Sequence, residues 1–337
     1  MKNLRISSIR QHKGRTLGLL ALLTLGSLLL SLCVGSVWVT PGEILSAIRS
    51  GGDQPAARIF LYARLPRTCG CLLAGMALAV SGAVIQSVLA NPLAAPNIIG
   101  VNSGAGLMVA LSCALLPGSM AAVPLMAFLG ALMGMLLVLF LAERTGAAKI
   151  TLVLAGVAVS SMFSAGIDAV VTFVPDALNG YSDFRIGGLE NLSMERLVPA
   201  FFVIVPALTG CFLLGSEMDI LSLGTDTARS LGLNAKRTRL ILLALAAALA
   251  GGAVSFCGLL GFVGLIVPHI MRRMLGEESR TLIAGCALGG AAMLTVCDVL
   301  ARLLVSPYEL SVGIVLSLLG GPFFIWLLLR QRGGRGA

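Results

Sequence analysis

The chain has 337 residues, of which 57% are hydrophobic and only 12% are charged. An ordinary soluble domain has about 25% charged residues, so a water-soluble fold could not cover this much apolar surface. The formal net charge of +9 would suit nucleic-acid binding, because basic proteins attract phosphate backbones. With 5% aromatic residues and no separate basic domain, we assign the positive charge to loops beside a membrane and expect no nucleic-acid partner.

Apolar runs of roughly 17 to 25 residues recur along the chain, which is the length that crosses about 30 Å of hydrocarbon as an α-helix. The alternating pattern of a membrane β-barrel is absent. We therefore predict an all-α polytopic membrane protein with about ten transmembrane helices. The first run follows a basic stretch, but it is too long for a signal peptide and is expected to be retained. The predicted spans are 16–38, 68–89, 98–116, 121–141, 150–173, 197–215, 240–256, 262–274, 281–304 and 311–329.

The distribution of basic residues sets the predicted orientation. If all ten spans cross and the N-terminus is cytoplasmic, 17 of the 24 Lys and Arg residues lie on the inner face, as the positive-inside tendency requires. The eighth span is short, but its failure to cross would leave 12 basic residues on each side. We therefore predict cytoplasmic N- and C-termini, a single transmembrane domain at 1–337, and a cytoplasmic loop at 216–239.

No pattern in the sequence indicates catalysis or metal binding. The eight cysteines lie within or beside apolar runs and are interpreted as small buried hydrophobic residues, so we expect no metal site and no disulfide framework. No nucleophile and base can be paired from the sequence, which disfavours a membrane enzyme without excluding one. No phosphate-binding loop of the G-x-x-x-x-G-K-[ST] type occurs. If ATP drives this protein, another chain must supply it.

Two polar segments lie close to the second span. Arg64 and Arg67 flank a Leu-Pro pair on the predicted outer face, against the charge rule, so they predict either lipid-headgroup anchoring or docking of an acidic partner. Gln86 lies within the span and Asn91 follows it; both are candidates for the translocation pathway.

Small and polar residues mark two further segments. Gly100 and Gly104 are four residues apart, which permits close helix packing. In the predicted inner loop, apolar residues bracket a polar stretch with a Thr/Asp start, as at a helix N-terminus. A merely solvated loop would not need these apolar residues, whereas a short helix on a cytoplasmic partner would. The candidate contact residues are Leu223, Gly224, Thr225, Ala228, Arg229, Leu231 and Gly232.

Few ionisable residues lie within the spans. His269 would suit a proton relay, but two arginines follow it at the predicted inner edge, so we favour a helix-end or partner contact. Asp298 precedes Arg302 by four residues, which predicts an ion pair within one helix. Asp168 lies in the outer part of the fifth span and is the third candidate for the translocation pathway.

Together these segments resemble the FecCD family of bacterial ABC-transporter permeases, which import iron-siderophores, haem and cobalamin. The resemblance covers nearly the whole chain. Two positions depart from the family pattern: Ala95 stands where Asp is frequent, and Ser311 where Pro is frequent. The motifs that carry the resemblance are R-L-P-R at 64–67, Q-x-x-x-x-N-P-L-A-x-P at 86–96, F-V-G-L-x-x-P-H-x-x-R at 262–272, and P-Y-E-L-S-V-G-I at 307–314 with G-G-P-F-F at 320–324.

The resemblance implies a type II ABC importer permease, multi-pass in the bacterial cytoplasmic (inner) membrane and surrounded by lipid. It implies a second permease copy or paralogue, ABC ATPase subunits that carry ATP and Mg, and an extracytoplasmic substrate-binding protein. The chain itself is expected to bind no cofactor and to be no enzyme. Ferric siderophore is the first expectation for the cargo, with haem or cobalamin as alternatives.

The resemblance also assigns residue roles. Arg64, Arg67 and Arg302 resemble the outer arginines that receive glutamates from the binding protein, and the loop at 224–232 resembles the coupling helices that seat on the ATPase. The alternative function is that of an ion-coupled secondary transporter. Such a transporter should depend on Asp168, Asp298 or His269.

Overall fold

The structure is a computed structural model that describes residues 2–35, 40, 42, 55–117, 119, 122–144, 149–305 and 308–333. Across these residues all regular secondary structure is helical. Short helical turns at Pro55–Arg58 and Ile59–Arg64 lead into α2, and a 3₁₀ turn at Pro96–Ile99 leads into α3. The helices are α1 (Lys2–Cys33), α2 (Leu65–Leu89), α3 (Val101–Leu115), α4 (Ala122–Arg144), α5 (Lys149–Phe173), α6 (Ala177–Ile186), α7 (Met194–Leu213), α8 (Gly215–Ser222), α9 (Thr225–Ser230), α10 (Ala235–Cys257), α11 (Val263–Leu275), α12 (Ser279–Leu303) and α13 (Val312–Gly333).

The helix lengths agree with a multi-pass membrane protein. Within the described residues, seven helical segments are long and apolar enough to cross a membrane, and they lie in α1, α2, α4, α5, α7, α10 and α12. Two shorter apolar helices, Val101–Leu115 and Val312–Leu327, add to these. With α11 they account for the ten predicted spans, so the predicted fold class is confirmed.

α11 is short for a crossing, because its 13 residues rise only about 20 Å. The hydrogen bonds around it nevertheless show that the chain returns across the bundle there. The Gly188 amide donates to the Cys257 carbonyl at the end of α10 (2.9 Å), and the Gly313 amide at the start of α13 donates to the Gly187 carbonyl (3.2 Å). α10 therefore ends where α13 begins. Because α12 starts at the opposite end, α11 and the preceding segment must cross between them.

The central helix is α2. Its most apolar window is 83% buried, and it packs against α7, α10, α11 and α12. Glycines bring the backbones together: a Cβ on Gly75 would overlap the Gly290 carbonyl of α12, and a Cβ on Gly82 would overlap the Gly264 carbonyl of α11. Close contact of this kind is what holds helices together where lipid removes the hydrophobic driving force.

The predicted glycine packing at the start of α3 is confirmed. Gly104 lies against Gly130 of α4, and Gly100 lies against Gly134 one turn away, so that a Cβ at Gly104 or Gly134 would overlap the opposite backbone. Gly100 also has a φ of 80°, which L side chains rarely adopt. The two helices therefore contact each other directly through the backbone of these four glycines.

Several predicted boundaries were wrong. Helical structure leading into α2 begins at Pro55, so Arg64 and Arg67 lie inside helical structure rather than before it; Pro66 is tolerated because the first turn of an α-helix needs no amide donor there. α1 ends at Cys33, and the last three residues of the predicted first span, 36–38, lie outside the described residues. The polar stretches also hold helices α6, α8 and α9, because packing against the bundle compensates for their weak apolar patterns.

Candidate functional site

Three arginines and two acids form what we call the arginine cluster: Arg64, Arg67, Asp298, Arg302 and Glu309. Arg67 Nε lies 2.9 Å and 3.2 Å from the two carboxylate oxygens of Asp298. Arg302 Nη2 lies 2.8 Å from Asp298 Oδ2, which confirms the ion pair predicted within one helix. Arg67 Nη1 contacts Glu309 at 2.5 Å. The cluster thus joins α2, α12 and the segment before α13 at one end of the bundle, which we call the arginine end.

Two of these arginines, Arg64 and Arg302, form hydrogen bonds with the end of α1. The last carbonyls of a helix have no partner within the helix, and positive charge is favourable beside them. Arg64 and Arg302 meet this need. Their guanidinium groups donate over 2.7 to 3.2 Å to the carbonyl oxygens of Ser31, Leu32, Cys33 and Val34.

The structure brings the three predicted docking residues together but buries them. Relative exposure is 6% for Arg64 and Arg67 and 3% for Arg302, whereas the Glu309 side chain is 28% exposed. The single chain therefore does not present these arginines as an open positive surface. Docking of an acidic partner stays a prediction, and it requires Glu309 or the chain around it to move.

The predicted coupling residues lie at the opposite end, which we call the coupling end. The Ser279 amide at the start of α12 donates to Asp219 of α8 at 2.9 Å, whereas Asp298 near the end of α12 belongs to the arginine cluster. The residues from Ser279 to Asp298 rise about 28 Å along the helix axis, close to the thickness of a hydrocarbon core. The opposite placement that the charge distribution predicted therefore agrees with the fold.

Two leucines protrude from the segment between α8 and α10. Leu223 is 63% and Leu231 is 61% exposed, although both lie on the short stretch that carries α9. Gly224 and Gly232 flank α9 with φ values of 108° and 81°, which favour glycine. The backbone turns at these glycines leave both leucines at the surface.

α9 begins at Thr225, as its Thr/Asp start predicted. Ala228 is fully buried, whereas Arg229 is exposed. The Thr225 hydroxyl accepts a hydrogen bond from Arg239 of α10 at 3.4 Å. α9 therefore lies on the bundle through one face and leaves its arginine free to meet a partner.

Gln86 and Asn91 lie together, but apart from the third pathway candidate. Gln86 is 2% exposed, and its amide nitrogen donates to the Gly264 carbonyl at 3.3 Å. The Asn91 side chain accepts from the Leu93 amide at 3.0 Å, which fixes the turn after α2. Both line a cavity of about 330 Å³ at the coupling end, shared with Arg272. A role in the translocation pathway stays a prediction for both residues.

Asp168 is exposed and lies in a separate open groove of about 570 Å³ along α5. Polar side chains on a membrane-spanning helix are costly against lipid, so this face is expected to meet water or protein. The sequence reasoning missed the serines of this groove, although their spacing of four from Asp168 would have revealed a common helix face. The polar lining residues are Asn97, Ser160, Ser161, Ser164 and Asp168.

His269 and Tyr181 are two further ionisable groups, one packed against an aromatic ring and the other partly buried. The His269 ring packs edge-on against Phe323 of α13, with ring centroids 6.0 Å apart, which agrees with a helix contact. On α6, burial raises the pKa of the Tyr181 phenol, while Arg185 opposes the shift and Asp168 reinforces it. The phenol near the groove therefore stays neutral at physiological pH.

Within the described part of the chain, the long apolar helices, the two shorter ones and α11 thus form the bundle of a multi-pass membrane protein, with a polar groove along α5. The chain belongs to the FecCD transport family, whose sequence model matches residues 22–330. It is therefore a permease of the ABC-importer type, and the predicted family is confirmed.

Individual relatives support this assignment over nearly the full chain. The hemin transport system permease protein HmuU of Yersinia pestis is 38% identical over 332 residues, which cover 95% of each chain. The vitamin B12 import system permease protein BtuC of Klebsiella pneumoniae is 37% identical over 337 residues, which cover 98% of each. A solved structure described as an inward-facing ABC transporter of metal-chelate type is 26% identical with a TM-score of 0.82, and the match covers 94% of this chain and 99% of that one.

Proposed function

We propose that this chain is the transmembrane subunit of an ATP-driven, binding-protein-dependent importer of a ferric siderophore in the bacterial inner membrane. ABC ATPase subunits bind ATP and Mg and press on the segment around α9. The observation that carries the proposal is the exposure of Leu223 and Leu231, 63% and 61%, at the coupling end. Large apolar side chains that protrude together from a polar loop indicate a protein partner.

The polar groove on α5 supports a second permease copy or paralogue. Asp168 and the serines beside it line one open side of the helix, where contact with lipid would be unfavourable. A partner permease that faces this groove would enclose a hydrated pathway between the two subunits. The cargo would then pass along α5 rather than through the densely packed centre around α2.

An external binding protein would deliver the cargo at the arginine end. Glu309 is paired with Arg67 there, and a carboxylate of the binding protein would replace Glu309 in that pair. Arg67 Nη2 has no hydrogen-bond partner among the described residues, so one donor remains for a second carboxylate oxygen. Forked bonds of this type are what arginine offers to acids.

The class of cargo that we propose is a metal chelate. Two relatives with nearly equal identity are named for hemin and for vitamin B12, and both compounds are metal chelates. A groove lined by serine hydroxyls, an amide and one carboxylate suits an oxygen-rich chelate with many hydrogen-bonding groups. We therefore place ferric siderophore first and keep haem and cobalamin as alternatives.

The ion-coupled secondary transporter is less well supported. Such a carrier needs a carboxylate that exchanges a proton or cation during transport. Asp298 is fully buried and forms ion pairs with Arg67 and Arg302, so it is not open to exchange with water on either side. Asp168 is the acid that still offers an exposed carboxylate on a span.

Reconstitution in vesicles tests the proposal. Permease, ATPase subunits and binding protein are combined, and uptake of ferric siderophore, haem and cobalamin is measured with ion gradients collapsed. We expect uptake of the siderophore that requires ATP and the ATPase subunits and that needs no ion gradient, both in the unchanged protein and in the Asp168→Asn variant. Uptake by the permease alone, driven by a gradient and abolished by Asp168→Asn, would establish the secondary carrier instead. Preferential uptake of haem or cobalamin would correct only the cargo.

A further inference from the structure

α12 begins without a side-chain cap of its own. Its N-cap residue, Glu278, makes no capping bond, and its carboxylate instead accepts from Lys13 at 2.7 Å. The first amides of a helix lack partners within the helix, and a carboxylate beside them is favourable because of the helix dipole. Asp219 of α8 supplies it: one oxygen accepts from the Ser279 amide at 2.9 Å and from the Ser279 hydroxyl at 2.5 Å. α8 therefore supplies the N-terminal cap of α12.

The capping residue sits on a firmly packed helix. Met218 and Leu221 of α8 are 1% and 7% exposed, so α8 lies with its apolar face in the bundle. Gly215 abuts the Arg280 side chain at the first turn of α12, where a Cβ would meet Arg280 Cγ. α8 is followed directly by the exposed leucines that flank α9. α8 therefore lies between the segment of the exposed leucines and the first turn of α12, and contacts that turn through Asp219 and Gly215.

The far end of α12 is also anchored by charge. Asp298 ties it to Arg67 of α2, and Arg302 ties it to Ser31 and Val34 at the end of α1. A continuous helix of 25 residues joins the two anchors. α12 is therefore held at the coupling end by one carboxylate of the loop and at the arginine end by an ion-pair network.

We propose that Asp219 is the positioning residue that couples the ATPase-facing segment to α12. Movement of α8 then shifts α12 and the arginine cluster together, so that ATP binding at one end alters binding-protein docking at the other. The inference rests on the proposed function.

The test compares variants in vesicles that contain permease, ATPase and binding protein. The readout is the ratio of cargo transported to ATP hydrolysed, together with binding of the ATPase subunits. We expect Asp219→Ala to lower the ratio at least threefold while ATPase binding is retained. Asp219→Asn should keep most of the ratio, because its amide oxygen still accepts both bonds. Glu278→Gln is the matched control, since it removes a charge at the same helix end and leaves both Asp219–Ser279 bonds in place.

A double-variant comparison separates coupling from additive damage. Ser279→Ala removes the hydroxyl bond alone and should lower the ratio less than Asp219→Ala. Because both residues form one contact, the double variant Asp219→Ala with Ser279→Ala should be no worse than Asp219→Ala. Fully additive losses would contradict the assignment.

The outcomes are distinguishable. If Asp219→Ala lowers thermal stability but leaves the transport ratio at the value of the unchanged protein, Asp219 is only a structural cap and the inference is overturned. If Asp219→Ala fails to assemble, Ser279→Ala decides, and an unchanged ratio there also overturns it. If the unchanged complex shows no ATP-dependent uptake, the proposed function fails.

Discussion

Removal of the Asp298 carboxylate should be among the most damaging single changes in this protein. The Asp298→Ala variant leaves Arg67 and Arg302, 6% and 3% exposed, without the acid that both contact. Arginine cannot release its proton to escape this situation. The guanidinium groups would remain buried and charged beside each other, and the folded state would carry that cost.

The remaining contacts bound the magnitude. Breaking a buried ion pair by removing one partner costs about 3–5 kcal/mol. Arg302 keeps its bonds to Ser31 and Val34, and Arg67 keeps Glu309, so we expect the lower end, about 3 kcal/mol. Glu309→Gln removes an acid whose side chain is partly exposed, at 28%, and Arg67 keeps Asp298, so the cost should lie nearer to the value of about 1 kcal/mol for exposed pairs.

The assay is unfolding of the purified permease in detergent, followed by tryptophan fluorescence during heating. Asp298→Ala should lower the midpoint several times more than Glu309→Gln, with Asp298→Asn between them because it retains a hydrogen-bond acceptor. Equal shifts for Asp298→Ala and Glu309→Gln would refute the reasoning. They would mean that the arginines find water or other acceptors as readily as they find Asp298.

Three further changes test separate features. Gly104→Leu should separate α3 from α4 and cost at least the 1–3 kcal/mol typical of overpacking, whereas Gly321→Ala, with open space around it, should be neutral by thermal unfolding. Leu223→Ser combined with Leu231→Ser should weaken ATPase association about tenfold or more in pull-down titrations, since each leucine loses its buried contact, and unchanged association would exclude this surface. Arg64→Gln should weaken binding-protein association and make the remaining affinity less sensitive to salt, because one charge pair fewer is screened; an affinity and a salt dependence equal to those of the unchanged protein would show that the docking assignment is wrong.

The structure changes how the docking arginines should be tested. Reversal of Arg67 or Arg302 to glutamate would place a second carboxylate beside Asp298, so lost docking could reflect lost folding. Arg64 makes its described hydrogen bonds to main-chain carbonyls, and glutamine can replace part of these. Neutralising Arg64 therefore isolates the contribution of charge to docking better than reversing all three.

The sequence pattern alone was sufficient to predict features that depend on residues close together in the chain. Span lengths follow from apolar runs, the Asp298–Arg302 pair follows from a spacing of four, and the contact at Gly104 follows from a small-residue repeat. In each case the relevant geometry is that of one helix, whose pitch is fixed.

Features that join distant segments were not predictable in this way. The sequence places Arg67 on the outer face, but its pairing with Asp298, 231 residues away, depends on which helices become neighbours. The same holds for Asp219 and Ser279, 60 residues apart. Burial of the arginines was also missed, because the charge rule reports the side of the membrane and not depth within the protein. The serines beside Asp168 were within reach, since a helix-face count would have found them.

The two anchors of α12 differ in strength, and this difference gives them separate roles. Asp298 is fully buried with two arginines, whereas Asp219 is only partly buried and holds neutral donors on one residue. Bonds that join a carboxylate to buried cations are stronger than those to an amide and a hydroxyl. Loss of the weaker contact at Asp219 would therefore disconnect α8 from α12 while the arginine end stays intact. Weakening Asp298 should then lower stability more than coupling, and weakening Asp219 should lower coupling more than stability.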